Sequence, residues 1–335
     1  MNSQPSMRDI AAAAGVSIST VSRVLNRNGR ISPATRERVQ KIIDESGYVV
    51  NMAARSLSSS CSSNIGLIVP DISNDFFSTL ALHIEERLRA NGYSVFVCNS
   101  SNDPEQERYH FRTLTSKLVD GVICISGLNE LPDDVIPPDL PIVCVDRRPQ
   151  SRRHIPTVFS DENAGTRAMT EHLISHGCRR LLYIGGFTAQ YRTRTRISGF
   201  RDALAAHGLP LDEANVLQVT GKRPSMEEAH DYVLRRIADG LDFDGIVTSS
   251  DHAAAGALQA LLQMDISVPG QVKVGGFDNS IYSRLTTPRI TTIHRYPEQI
   301  ASAACSRMLE LLRREEPLAQ TIIPVKLIVR ESTVA

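Results

Sequence analysis

No apolar run in the chain is long enough to cross a bilayer. The first residues, MNSQPSMRD, lack the apolar stretch of a secretory signal. The protein is therefore expected to be cytoplasmic. Its six cysteines (Cys61, Cys98, Cys124, Cys144, Cys178 and Cys305) are dispersed, with no C-x-x-C among them. No ligand-spaced group of Cys and His appears, so neither a metal nor a cofactor is expected. Cys98, Cys124 and Cys144 fall in apolar strand-like runs and read as small core residues of a reducing compartment. There is no G-x-S-x-G elbow, no G-x-G-x-x-G after the first strand and no Walker loop, which tells against an enzyme. Net charge is also missing, since 37 Lys and Arg balance 37 Asp and Glu.

That balance hides an asymmetry. Residues 1–60 carry 8 Lys and Arg against 4 Asp and Glu, whereas the remainder carries 29 against 33. A basic head on an acidic body suggests that the head meets a polyanion. A chain of 335 residues is also too long for one ordinary domain.

The head reads as three short helices. Ser6 can cap the first, with Asp9 three residues on as a shorter analogue of the capping-box Glu. Gly15 permits a tight turn. Ser17 can cap a second helix that runs to about Asn26 and turns Val21, Val24 and Leu25 inward. Ser32-Pro33 is a cap followed by proline at the first helical position. The third helix turns Val39, Ile42 and Ile43 inward and ends near Gly47. After Tyr48, Asn51 can cap a helix of about two turns, too short to persist alone in water. The run SSSCSS behind it is a flexible linker.

From residue 64 the pattern changes. Apolar strand-like runs (IGLIVP, YSVFVCNS, DGVICIS, PIVCVDR) alternate with amphipathic helical stretches. A second series follows: a helix through 164–177, then LLYIGG, VLQVTG, DGIVTSS and VKVGGFD, again with helices between. Strands spaced by helices imply parallel sheets with right-handed crossovers, and two series imply two doubly wound lobes. In such sheets ligands bind beyond the carboxyl ends of the strands.

Residues 7–26 fit a helix-turn-helix. The second helix would present Ile18, Ser19, Thr20, Ser22 and Arg23 on its outward and N-terminal surface. Short hydroxyl side chains let a helix approach the groove wall and donate to phosphates or bases, and Arg23 can pair bidentately with a guanine edge. An ordinary helical hairpin with a solvated polar face would carry the same residues.

Several stretches together decide between these. MRDIAAAAGVSISTVSRVLN, ISPATRERV, GYVVNMAARSL and IGLIVPDISNDFF are followed by CVDRR, RTRISGFRDAL, SSDHAAAGALQAL, VGGFDN and LTTPRITTIH. In this order, over nearly the whole chain, they resemble the lactose-repressor/galactose-repressor (LacI/GalR) family of bacterial transcription regulators. The resemblance implies a helix-turn-helix DNA-binding domain over 1–49, a hinge helix and linker over 50–63, and a two-lobed domain over 64–335. That last domain would resemble periplasmic sugar-binding proteins, bind the effector and dimerise. The implied function is sequence-specific repression, as a homodimer on a near-palindromic operator, controlled allosterically by a small effector between the lobes.

The resemblance also implies site residues. On the DNA side these are Ser17, Ile18, Ser19, Thr20, Ser22, Arg23, Asn26 and Ser32 in the head, and Asn51, Ala54, Arg55 and Leu57 in the hinge. Leu57 matches the leucine that wedges into the central base step through the minor groove. Where the family usually has proline before the hinge asparagine, Val50 stands here, which loosens the start of that helix. On the effector side they are Asp75, Phe76, Phe77, Asp146, Arg147, Arg196, Asp251 and Asp278, joined by two departures from the family pattern: Arg223, where an aromatic is common, and Arg295. Phe76 or Phe77 could stack on a sugar ring, and carboxylates and arginines at strand ends suit paired hydroxyls. Arg295 stands where a glutamine is common. Arg147, Arg196, Arg223 and Arg295 around one cleft exceed what a neutral sugar needs, which points to a sugar acid or a sugar phosphate. The alternative is that two or more of them pair with acidic neighbours such as Asp251 and Asp278. A solute-binding transport protein also fits the body, but not the basic head.

Overall fold

The computed structural model describes residues 5–25, 29–48, 61–125, 130–146, 154–186, 191–219, 225–240 and 243–334. It divides into two compact units, Met1–Ser62 and Ser63–Ala335.

In the first unit, α1 (Met7–Ala14), α2 (Ile18–Leu25) and α3 (Pro33–Ser46) form where the capping signals lie. Ser6 and Asp9 make a reciprocal capping box. Gly15 takes φ +63°, left-handed backbone that ends α1 and that side chains disfavour. Ser32 caps α3 ahead of Pro33. Ile10, Ala11 and Ala14 of α1 pack with Val21 and Val24 of α2 and with Val39 and Ile43 of α3. Leu25 and Ile42 are only partly buried at the edge of this cluster. A core of so few residues leaves little stability to spare.

The second unit is α/β. Its first lobe has a parallel six-stranded sheet built from β1 (Asn64–Val69), β2 (Ser94–Asn99), β3 (Gly121–Ile125), β4 (Ile142–Val145), β5 (Thr157–Ser160) and β11 (Gln320–Ile323). The spatial order is β11-β5-β4-β3-β1-β2. Helix α4 (Asp75–Ala90) covers one face together with α11 (Pro297–Leu312), and α5 (Pro104–Ser116) packs on the other. The second lobe carries α6 (Glu162–Ser175), β6 (Leu181–Gly186), α7 (Tyr191–Ala206), β7 (Val216–Val219) and α8 (Met226–Ala238). It continues through β8 (Gly245–Thr248), α9 (Asp251–Gln263), β9 (Lys273–Gly275) and α10 (Ile281–Leu285). Its parallel sheet has the order β7-β6-β8-β9. Strand β10 (Thr292–His294) then pairs antiparallel with β12 (Lys326–Ile328), and between them α11 and β11 return to the first lobe.

The covered strands read as continuous apolar runs, and β3 and β4 are buried at every position. Cys124 and Cys144 sit there as core residues, while Cys98 is only partly buried, and all six cysteines are free thiols. Edge strand β2 differs, since Phe96 and Val97 are exposed. In the second lobe α8 and α9 cross at Gly256, where an added Cβ would lie 2.1 Å from the Met226 carbonyl oxygen.

Candidate functional site

Two surfaces carry the chemistry. In the head, Ser17 closes the start of α2, its Oγ accepting from the Thr20 amide at 3.2 Å. The Ser17 hydroxyl also lies 2.7 Å from that of Ser19 and 2.9 Å from that of Thr20. Val21 and Val24 hold the helix onto the core. Ser17, Ile18, Ser19 and Arg23 are left exposed, and Thr20 and Ser22 half-buried. Ile18 is 45% exposed, an apolar side chain left in water at the first turn of the helix. Ser32 is the cap of α3, with its Oγ accepting from the Thr35 amide at 3.2 Å. Asn26, Asn51, Ala54, Arg55 and Leu57 lie outside the described residues.

The second surface is a cleft of about 250 Å³ at the carboxyl ends of the strands. Asp71, Asn74 and Asp75 line it from the first lobe, and Ser250, Asp251, Asp278, Ser280 and Tyr282 from the second. Asp75 begins α4, and its Oδ2 accepts from the Ile281 amide at 3.0 Å, a hydrogen bond between the lobes. The Ser280 side chain leaves α10 uncapped. Its hydroxyl is buried beside the Asp251 carboxyl and helps hold that group's pKa down.

Asp278 of the cleft lining belongs to a buried charged cluster, in which Asp146, Glu162, Asp278 and Arg196 gather around the fully buried Arg295. Its Nε donates to Ser160 Oγ at 2.8 Å, its Nη1 to Asp278 Oδ1 at 3.3 Å and its Nη2 to Asp146 Oδ2 at 2.5 Å. Glu162 Oε1 is 3.2 Å from the same Nη2. Arg196 donates from Nη2 to Glu162 Oε1 at 2.7 Å and from Nη1 to the Ser249 carbonyl. Burial alone would make Arg295 release its proton more readily, but Asp146, Glu162 and Asp278 outweigh it and raise the guanidinium pKa. Asp251 is pushed up to about 7, first by burial and then by the Asp278 charge. The Thr292 hydroxyl (2.5 Å) and the Ser280 amide (2.6 Å), which donate to its carboxylate, oppose that rise.

These contacts change the expected charge balance. Arg196 and Arg295 are answered by acids, as the alternative reading of the arginines held, although the partners are Asp146, Glu162 and Asp278 rather than Asp251. Arg147 and Arg223 lie outside the described residues. Neither Phe76 nor Phe77 offers a free ring face, because both are buried in the first-lobe core. The Phe76 ring is instead covered by the Arg295 guanidinium at 3.9 Å. Glu162 and Ser160 were not among the expected residues. Glu162 reads as an ordinary first-turn acid of α6, and no local signal marks it.

Among the described residues no helix is long and apolar enough to cross a membrane. Residues 6–51 match the bacterial regulatory proteins of the lacI family. Residues 170–333 match the periplasmic binding protein-like domain. The ribose operon repressor of Halalkalibacterium halodurans is 35% identical over 98% of this chain and 96% of its own. A periplasmic binding protein/LacI transcriptional regulator from Alkaliphilus metalliredigens, solved with D-xylulofuranose, is 32% identical with a TM-score of 0.72, over 82% of this chain and 100% of its own. The lac repressor dimer bound to operator and an anti-inducer superposes with a TM-score of 0.89, over 99% of this chain and 100% of its own. At 24% identity that likeness speaks for the fold.

Proposed function

The chain belongs to the lacI family of bacterial regulatory proteins, and we propose that it represses transcription from a near-palindromic operator under control of a neutral polyol. The observation that carries the DNA reading is the α2 surface, where Ile18, Ser19 and Arg23 stand exposed above a packed three-helix core. Such a helix can enter the major groove, with hydroxyls against phosphates and Arg23 on a base edge. Homodimerisation is supported by the apolar edge of β2, since an open strand edge carrying Phe96 and Val97 invites a partner. Each head then reads one half-site, matching protein symmetry to DNA symmetry. The hinge over 50–63, with Leu57 as the minor-groove wedge, completes this reading.

The effector is assigned to the cleft. Two similar proteins, a ribose operon repressor and a regulator solved with D-xylulofuranose, favour a carbohydrate. The charges among the described residues favour a neutral one. Arg196 and Arg295 are already matched by acids, and Asp71, Asp75 and Asp251 add further carboxylates to the lining. Carboxylates accept from sugar hydroxyls but repel an acid or a phosphate. Binding shifts lobe closure, and effector and operator affinities are reciprocally coupled.

A gel-shift assay on the protein's own promoter region tests the regulator reading. Retardation is expected, weakened by Leu57→Ala. Arg23→Ala should lose discrimination at one base pair by about 1–3 kcal/mol. Unchanged operator affinity in both variants defeats the docking scheme. Calorimetry with neutral sugars, sugar acids and sugar phosphates tests the effector class, and tight binding of only the anionic ligands reverses it.

A further inference from the structure

Next to Asp278, which lines the cleft, groups that suit a polyol already have an occupant. An aromatic face (Phe76), a strand-end carboxylate (Asp146) and a hydroxyl (Ser160) from the first lobe converge on Arg295. So do Asp278 and Glu162 from the second lobe. All three nitrogens of the guanidinium have an oxygen partner, and its plane lies on a ring. That is how a recognition site holds a planar polar ligand.

The position of the residue gives this contact a mechanical meaning. Arg295 follows β10, whose His294 bridges to Asp278 in the second lobe, and precedes α11, which packs on the first. Its side chain therefore ties the lobes together where the chain crosses between them. Asp146, Asp278 and the adjoining Tyr296 all hold left-handed backbone, at φ +55°, +105° and +52°. Non-glycine residues keep such conformations when their surroundings over-determine them. At the rim, the Asp75–Ile281 hydrogen bond spans the same gap.

We infer that Arg295 is a built-in counter-ligand, which occupies the polyol-recognising groups and holds the lobes closed until an effector displaces it. The inference rests on reading the cleft as the effector site. A deep-binding polyol must free Phe76 and Asp146 from the guanidinium, so only the fraction of molecules with Arg295 withdrawn is competent. Apparent affinity falls by that fraction. Arg295 thus sets the threshold concentration of effector rather than contributing an attractive contact.

The test uses the full chain without added ligand. Hydrogen exchange is followed in a peptide covering 279–285, which contains the Ile281 amide, and in core peptides of β3 and β8. Variants Arg295→Gln and Arg295→Lys are compared with the parent. Lysine keeps the charge but loses the forked contacts, so it serves if the glutamine variant does not fold. The inference expects exchange at Ile281 to quicken in either variant on the order of tenfold beyond any change in the two core peptides, which report overall stability. Unchanged protection at Ile281 overturns it. In a second arm, D-ribose, D-xylose and D-glucose are titrated calorimetrically into parent and Arg295→Gln. Tighter binding to the variant, on the order of tenfold, supports displacement. Weaker binding makes Arg295 a direct effector contact and overturns it. If none of the three sugars binds either protein, the neutral-polyol reading fails, and the exchange result alone decides the role of Arg295.

Discussion

The head and the cleft solve opposite problems with similar residue types. On α2 the proposed recognition groups come from one contiguous stretch, residues 17–23, where Ser17, Ile18, Ser19 and Arg23 face water. In the cleft they come from segments as far apart as Asp146 and Arg295 and are buried against each other. A surface for a large polyanion must stay solvated and open, because its partner brings the counter-charge. A pocket for a small ligand can be satisfied by its own chain, and on the inference drawn for Arg295 its charges act on lobe geometry before any ligand arrives.

The contrast can be broken at its strongest point. Arg295→Ala strands Asp146, Glu162 and Asp278 as buried carboxylates and should destabilise the second unit by about 3–5 kcal/mol. Urea unfolding measures this, and a loss below about 1 kcal/mol would mean that the network is solvated. In the head the equivalent blow is apolar. Ile10→Ala removes a buried member of a small core and should cost about 2–5 kcal/mol. Operator binding should disappear while the melting of the second unit stays in place, and a shift of both transitions would contradict independent cores.

A pH series sharpens the comparison further. Folded Asp251 titrates near 7 against 3.8 for an ordinary carboxyl, so the folded form keeps a proton that the unfolded chain releases. Its stabilisation is full below about pH 4 and is lost as pH rises through 7, at most about 1.4 kcal/mol per pH unit. Between pH 5 and 7 the parent should lose melting temperature relative to Asp251→Asn, and parallel curves would remove the burial argument. The smallest effect belongs to the surface. Ser6→Ala loses the cap of α1 and should cost about 1 kcal/mol, read as a lower melting point of the head alone.

Legibility followed the same divide. The caps at Ser6, Ser17 and Ser32 and the turn at Gly15 are decided by neighbours within four residues, and the helices formed where those signals lie. The alternation of strands and helices similarly gave two parallel lobes. The cleft resisted because its partners are remote: Arg295 meets Ser160 and Asp146 across 135 and 149 positions. A count of arginines suggested an anionic effector, and only the fold reveals that Glu162, disguised as a helix-start acid, takes part in neutralising two of them. Phe76 and Phe77 show the same limit, since an aromatic pair after a first strand fits a sugar platform and a lobe core equally well, and only the fold shows both rings buried.

The crossing of α8 and α9 carries a lesson for anyone wishing to make a hardier form of this protein. Propensity tables nominate a mid-helix glycine such as Gly256 for replacement by alanine, a routine stabilising exchange. Here the added methyl would sit 2.1 Å from the Met226 carbonyl, which is backbone and cannot swing aside. The two helices would have to part, and the alanine-rich face of α9, buried at Ala253, Ala254 and Ala257, would open with them. A thermostabilisation library should therefore leave this residue fixed and spend its diversity on the solvent side of both helices.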